Sequence, residues 1–371
     1  MNTTNITQAS SSWNAPNLGM GPQANMLFRS GPNEEIPAAK DVFSETICDG
    51  NNGVIYVNNS RVEAVGICAR GRRDGVNADA IGVVQNPDGS LLFHLADGFH
   101  MRDKHHRPIG GAEASTGVIR EMTLYCCGQH GHFDRMAAEK TQRDLALNNL
   151  PLKAGSTYAG ALVRRHPVPE IGYLKTDALS IGDSRIIFCD DGKLQLKNVS
   201  DNAAYGPSIR GAIQVFSPEY RETMKEMLAD NPDALKWVND MDSFTPGRLQ
   251  KSLQTFLHYM FPSNMVLAYF DGMGIDRQLL FRDRLHDYFA RQKSGQQLFI
   301  YSDGVDDLFT PIDIMKTFHS KTEPLHEQVY EFAQRVMYAQ EYGRRIDVGV
   351  GNRIKIGGKH DNYSFWVIRM K

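Results

Sequence analysis

The chain has 371 residues, 41% of them hydrophobic and 23% charged, the balance of an ordinary folded protein rather than a disordered or fibrous one. Its 41 basic and 43 acidic side chains leave a formal charge of −2, which removes any overall electrostatic case for nucleic acid or an anionic membrane as partner. No apolar run approaches the roughly 20 residues that span a bilayer, and five cysteines without C-x-x-C spacing point to a reducing compartment rather than a disulfide framework.

Residues 1–12 are polar and lack the basic-then-apolar pattern of a secretory signal, so a cytoplasmic location is expected. Export into a host cell is conceivable given the N-terminal arm, though no residue pattern establishes it. Residues 1–45, rich in Asn, Ser, Thr, Gly and Pro without periodicity, read as a flexible or loosely docked arm, and residues 46–371 as the folded domain. Strands are expected at 53–57 and 65–69. A hairpin follows, 80–84 paired with 91–96 around Asn86-Pro87-Asp88-Gly89-Ser90, whose turn formers act through distinct backbone effects. Asp79 enters this hairpin and Asp97 leaves it, and antiparallel pairing would set the two side by side.

Residues 113–149 carry the spacing of two amphipathic helices with a break near 128–131. Cys126 and Cys127, with His130 and His132 close behind, raise the question of zinc, but adjacent cysteines chelate one ion poorly and the usual ligand spacing is missing. They read as buried thiols and solvent-facing histidines. Strands at 157–163, 178–181 and 185–188 lead to a hairpin turn at Asp190-Asp191-Gly192. The segment 200–295 reads as an enlarged helical insertion, with helices at 217–228, 233–241 and 246–260, a strand at 265–270 and a turn at Asp271-Gly272-Met273-Gly274. A strand at 297–301 ends at Asp303, helices follow at 311–318 and 324–342, and a strand at 363–370 closes the chain. Strands in runs and helices in runs define an α+β fold with mainly antiparallel sheets.

Four short acidic stretches recur, Asn77-Ala78-Asp79-Ala80, Ala96-Asp97-Gly98, Ser302-Asp303-Gly304 and His360-Asp361-Asn362. A carboxylate at the end of a buried strand is costly unless something cationic meets it. Four of them converging on one divalent metal centre is the simplest account, and all-oxygen donors select Mg²⁺ or Mn²⁺ over zinc or copper. Two such ions about 3.5–4 Å apart can hold a bridging hydroxide and polarise a phosphoryl oxygen. Gly98 could add its carbonyl, and Arg73 or Arg72 stands where a phosphate could be held by paired hydrogen bonds.

These motifs occur in the order of a known family. Arg73 with Asn77-Ala78-Asp79, Ala96-Asp97-Gly98, Gly110-Gly111-Ala112-Glu113-Ala114-Ser115, Gly155-Ser156-Thr157, Gly182-Asp183-Ser184-Arg185, Ser302-Asp303-Gly304 and Asp361-Asn362 together resemble the metal-dependent protein phosphatases of type 2C, the PPM family, in a divergent bacterial form. The resemblance covers roughly residues 53–371, with 200–295 the poorly matched part. It implies two packed β-sheets flanked by helices, an αββα sandwich with the metals at one end. It also implies Mn²⁺- or Mg²⁺-dependent hydrolysis of phosphoserine and phosphothreonine in a phosphoprotein substrate, without a phosphoenzyme. By the same resemblance Asp79, Asp97, Asp303, Asp361 and the Gly98 carbonyl would hold two ions, Asp183 and Asp307 a third, and Arg73 or Arg72 the phosphate.

Three departures stand out: Ala78 where the family has Glu, an insertion at 99–109, and an arginine displaced by one residue. His100 lies near the position of a histidine proposed as general acid in some members, but the insertion favours reading it as a solvated loop histidine. His105 and His106 read as exposed loop residues. A pseudophosphatase that keeps the fold as a binding module is the alternative, as is a phosphatase for phosphotyrosine or a small molecule.

Overall fold

The computed structural model describes residues 5–9, 44–49, 52–71, 77–86, 88–102, 108–129, 133–147, 154–165, 172–198, 222, 225–226, 228–240, 270–271, 285–319, 323–347, 353–356 and 360–371. Apolar runs in the middle of the chain form strands buried on both faces, as continuous rather than alternating hydrophobicity requires. Gln297–Tyr301, for example, is buried at every residue.

One sheet runs, in spatial order, β1 (Asn5–Ala9), β3 (Gly53–Asn58), β4 (Val62–Ala69), β17 (Tyr363–Met370), β14 (Gln297–Tyr301), β10 (Arg185–Asp190) and β11 (Lys193–Lys197). The other runs β13 (His286–Gln292), β9 (Leu174–Ile181), β8 (Ala154–Arg165), β6 (Leu91–Arg102), β5 (Asp79–Gln85) and β2 (Ser44–Asp49). Short β12 (Phe270–Asp271) lies beside β8 and β7 (Pro108–Ile109) beside β6. All of these pairings are antiparallel. Between the two sheets lies one core built from Ile55, Val83, Phe93, Leu95, Ile300 and Trp366.

The outer face of the second sheet is covered by α1 (Gly111–Thr123), a π-helical turn Leu124–Gln129 and α2 (Arg135–Leu147), through Val118, Met122 and Ala138. The outer face of the first is covered by α3 (Pro232–Asp240), the one-turn α4 (Asp303–Asp306), α5 (Pro311–Thr317) and α6 (Leu325–Tyr342), through Trp237, Val305, Phe318 and Phe332. A hairpin of β15 (Arg344–Asp347) and β16 (Arg353–Ile356) joins that outer layer. The architecture is therefore α+β and four-layered, αββα, as expected.

Several details depart from the reading of the sequence. The break between α1 and α2 is a π-helical turn that begins at Leu124, earlier than the glycines at 128 and 131. Asp271 is not in a turn but pairs with Gly155 as the second residue of β12. Within 200–295, α3 answers to the expected helix at 233–241, while β12 and β13 are sheet strands. The other expected helices, 217–228 and 246–260, fall largely or wholly outside the described residues. In the span read as an arm, Asn5–Ala9 pairs with β3, and the expected boundary at 45 falls inside β2. The insertion at 99–109 is partly a hairpin: β6 runs on to Arg102, and Met101 pairs with Ile109. No helix among the described residues is long and apolar enough to cross a membrane.

Candidate metal centre

The hairpin β5–β6 closes through Gly89 N–H to Asn86 O (2.8 Å) and Asn86 N–H to Ser90 O (2.9 Å), with the Asp88 carboxylate accepting from Ser90 N–H (2.8 Å). That closure sets the antiparallel register, and the register places Asp79 directly opposite Asp97 at the far end. The first sheet makes a second such pair. Arg185 stands opposite Tyr301 in neighbouring strands, so Asp183, two residues before, and Asp303, two residues after, leave the sheet at the same end. Asp361, two residues ahead of β17, comes from the strand next to β14.

The five carboxylates are near enough to act on one another electrostatically. Burial first, then the charges of Asp303 and Asp361, push the Asp79 carboxyl up to about 7, opposed in part by the hydroxyl of Ser302. Burial, then the charges of Asp303, Asp79 and Asp183, push Asp97 well above the usual carboxylate range. Buried carboxylates that act on one another in this way favour the protonated form when no cation neutralises them. Among the described residues no three His, Cys, Asp or Glu side chains stand as a ready ligand set around one point. The donor chemistry fits hard divalent ions all the same, because every acid in the cluster is an oxygen donor.

The local backbone is held with unusual completeness. Ser302 precedes α4 but does not cap it; its hydroxyl donates to Asp79 Oδ2 (3.0 Å) and accepts from Ser364 N–H (3.0 Å). Ala78 N–H donates to Asn362 Oδ1 (2.9 Å), whose Nδ2 donates to Arg70 O (3.0 Å). Cys68 Sγ accepts from Asn77 Nδ2 (3.1 Å) and lies 3.4 Å from the Asp79 carbonyl, where its S–H donates. Gln340 of α6 donates to the Asp361 carbonyl (2.9 Å). Ala78 is fully enclosed.

Gly98 is required sterically: a Cβ there would lie 2.1 Å from Gly111 O and 2.5 Å from Ala78 O. The same closeness brings the N-terminus of α1 beside the acidic end, where its unsatisfied N–H groups add positive potential. Gly304 is equally tight, with a Cβ position 1.8 Å from Asn362 O.

The structure thus brings Asp79, Asp97, Gly98, Asp183, Asp303 and Asp361 to one end of the sandwich. Asp307 follows α4, with its N–H bonded to Asp303 O (2.8 Å). Arg72, Arg73, His105, His106, His130 and His132 lie outside the described residues, as do the side chains of His100 and Cys127; the backbone of His100 is in β6, opposite Ala154. Cys126 is a buried thiol. Reading the sequence missed the buried ion pair of Arg185 with Asp306 (2.8 Å), and His94, enclosed between Tyr158 (2.7 Å) and Thr123 (3.3 Å). The arginine of Gly182-Asp183-Ser184-Arg185 and the second aspartate of Ser302-Asp303-Gly304-Val305-Asp306 were the signals for the pair.

No family model and no curated protein matches the chain. Solved structures do. The serine/threonine phosphatase PstP/Ppp of Mycobacterium tuberculosis aligns at 14% identity with a TM-score of 0.51, over 84% of this chain and 99% of that one. The Staphylococcus aureus serine/threonine phosphatase Stp1 aligns at 15% with 0.51, over 84% and 95%. The S. agalactiae serine/threonine phosphatase aligns at 13% with 0.51, over 84% and 100%. At these identities the likeness is one of fold.

Proposed function

We propose that this chain, which shares its fold with the PPM-type bacterial serine/threonine phosphatases, is a cytoplasmic Mn²⁺- or Mg²⁺-dependent phosphatase acting on phosphoserine and phosphothreonine in proteins. The observation that carries the proposal is the meeting of Asp79, Asp97, Asp303 and Asp361, with Asp183 behind them, at one end of the sandwich. Burial and mutual repulsion make this cluster costly without a cation.

Asp79, Asp97, Asp303, Asp361 and the Gly98 carbonyl would hold two ions, and Asp183 with Asp307 a third. When bound, such ions supply Lewis acidity toward a phosphoryl oxygen and an activated water as nucleophile. The chain's own groups do the positioning. Ser302 fixes the Asp79 carboxylate, while Cys68, Asn77 and Asn362 hold the segment that carries it. The N-terminus of α1 favours anions beside Gly98. Arg73, or Arg72, would grip the phosphate through paired hydrogen bonds. His100, two residues beyond Gly98 on β6, is the candidate proton donor to the leaving oxygen.

A second reading, a binding module without turnover, has Ala78 in its favour, because the acid that the family carries there is missing. Release of phosphate from a phosphothreonine peptide, with Mn²⁺, with Mg²⁺ and with excess EDTA, separates the two. Turnover that needs either ion and stops in EDTA supports the phosphatase. Folded, metal-loaded protein without turnover on any phosphorylated peptide or small phosphate ester would leave the binding module.

A further inference from the structure

Two motifs of the acidic end are joined by a charged clamp rather than by the sheet alone. Asp183 and Asp303 both lie just outside the ladder that pairs Arg185 with Tyr301, so strand pairing does not fix how closely they approach. The helix α4 that begins at Asp303 has four residues, a single turn, too short to hold its own geometry. Arg185 spans the gap. Its Nε donates to Asp306 Oδ2 at 2.8 Å, with side-chain exposures of 9% and 4%, and its Nη1 donates to the Asn198 carbonyl at 3.3 Å. Asn198 then straps the chain on both sides of Arg185: its Nδ2 donates to Ser184 O (2.7 Å) and its Oδ1 accepts from Ile186 N–H (2.8 Å).

A buried ion pair is poor value as a source of stability, since well-packed apolar side chains of similar volume do as well or better. What it provides is direction, because a guanidinium held at two points fixes the peptide that carries it. We propose that Arg185 is a positioning residue: clamped between Asp306 and Asn198, it locks the Asp183-bearing turn to the Asp303-bearing helix and so shapes the outer cation site of Asp183 and Asp307. The inference rests on the proposed metal centre and adds to it the residues that set one of its sites.

Calorimetric titration with Mn²⁺ tests it in the wild type, in Asp306→Asn and in the double variant Arg185→Met/Asp306→Leu. The double variant exchanges the ion pair for apolar side chains and avoids stranding a buried charge; Asn198→Ala, which removes a strap and no charge, serves where the others do not fold. In each variant shown to be folded by circular dichroism, the weakest Mn²⁺ event should weaken tenfold or more while the tighter events keep their affinity. Asp306→Glu should recover most of the loss. Isotherms that superimpose on the wild type, or an equal weakening of every event, would overturn the assignment of Arg185. A wild type that binds no Mn²⁺ would instead overturn the metal centre itself.

Discussion

Asp79 and Asp97 are cross-strand partners at the open end of the β5–β6 hairpin, and the charge of Asp303, just beyond β14 of the other sheet, acts on both. Like charges directly opposite one another weaken a sheet. A protein that keeps this arrangement needs protons or cations to sustain it.

That need gives the metal-free protein an unusual pH dependence. The Asp79 carboxyl, pushed up to about 7 from an ordinary value of 3.8, binds its proton more tightly folded than unfolded. Its contribution is therefore complete below about pH 4 and is lost as pH rises toward 7. Urea unfolding in EDTA, wild type against Asp79→Asn, should show the wild-type advantage shrinking by a few kcal/mol over that window. Mn²⁺ should abolish the trend. An advantage that is flat or grows with pH in EDTA would refute the electrostatic account.

His94 titrates in the opposite sense. Burial pushes its imidazole down to about 3, so the folded state resists its protonation. Stability from the neutral ring is present above about pH 6.5 and is lost as pH falls toward 3. His94→Phe should cost about 1–3 kcal/mol at pH 7, because Tyr158 and Thr123 lose their partner. The gap between variant and wild type should narrow steadily on acidification, as followed by denaturant unfolding.

Gly98→Ala is expected to be among the most damaging small substitutions. The new methyl would meet the Gly111 and Ala78 carbonyls, both backbone atoms that cannot swing aside. The cost should reach or exceed about 3 kcal/mol, seen as a large fall in Tm. A variant of wild-type Tm would show that β6 and α1 are not in such close approach.

Much of this was legible in the sequence for a physical reason. Strands such as β14 and β17 are buried on both faces and advertise themselves as apolar runs, and the hairpin register follows from turn residues within a few positions of one another. Some of the strands that escaped are only partly buried. In β13, His286–Gln292, exposed Asp287, Phe289 and Arg291 alternate with residues only half-buried, so neither charge nor apolarity repeats cleanly. β15 and β16 are four residues each, and half of those residues are Arg or Lys. Arg185 and Asp306 are 121 residues apart, and no local pattern marks them as partners until β10 and β14 pair. His94 sits within an apolar run and looks like an interruption there, because its partners, on β8 and α1, lie far along the chain.

The central claim is that Asp303 holds cations required for phosphate hydrolysis. Its most direct test is phosphate release from a phosphothreonine peptide by wild type and Asp303→Asn, each with Mn²⁺ and each confirmed folded. The expected result is Mn²⁺-dependent turnover in the wild type and a loss of at least 100-fold, about 2.7 kcal/mol of barrier, in the variant. A folded Asp303→Asn protein with undiminished turnover would contradict the account.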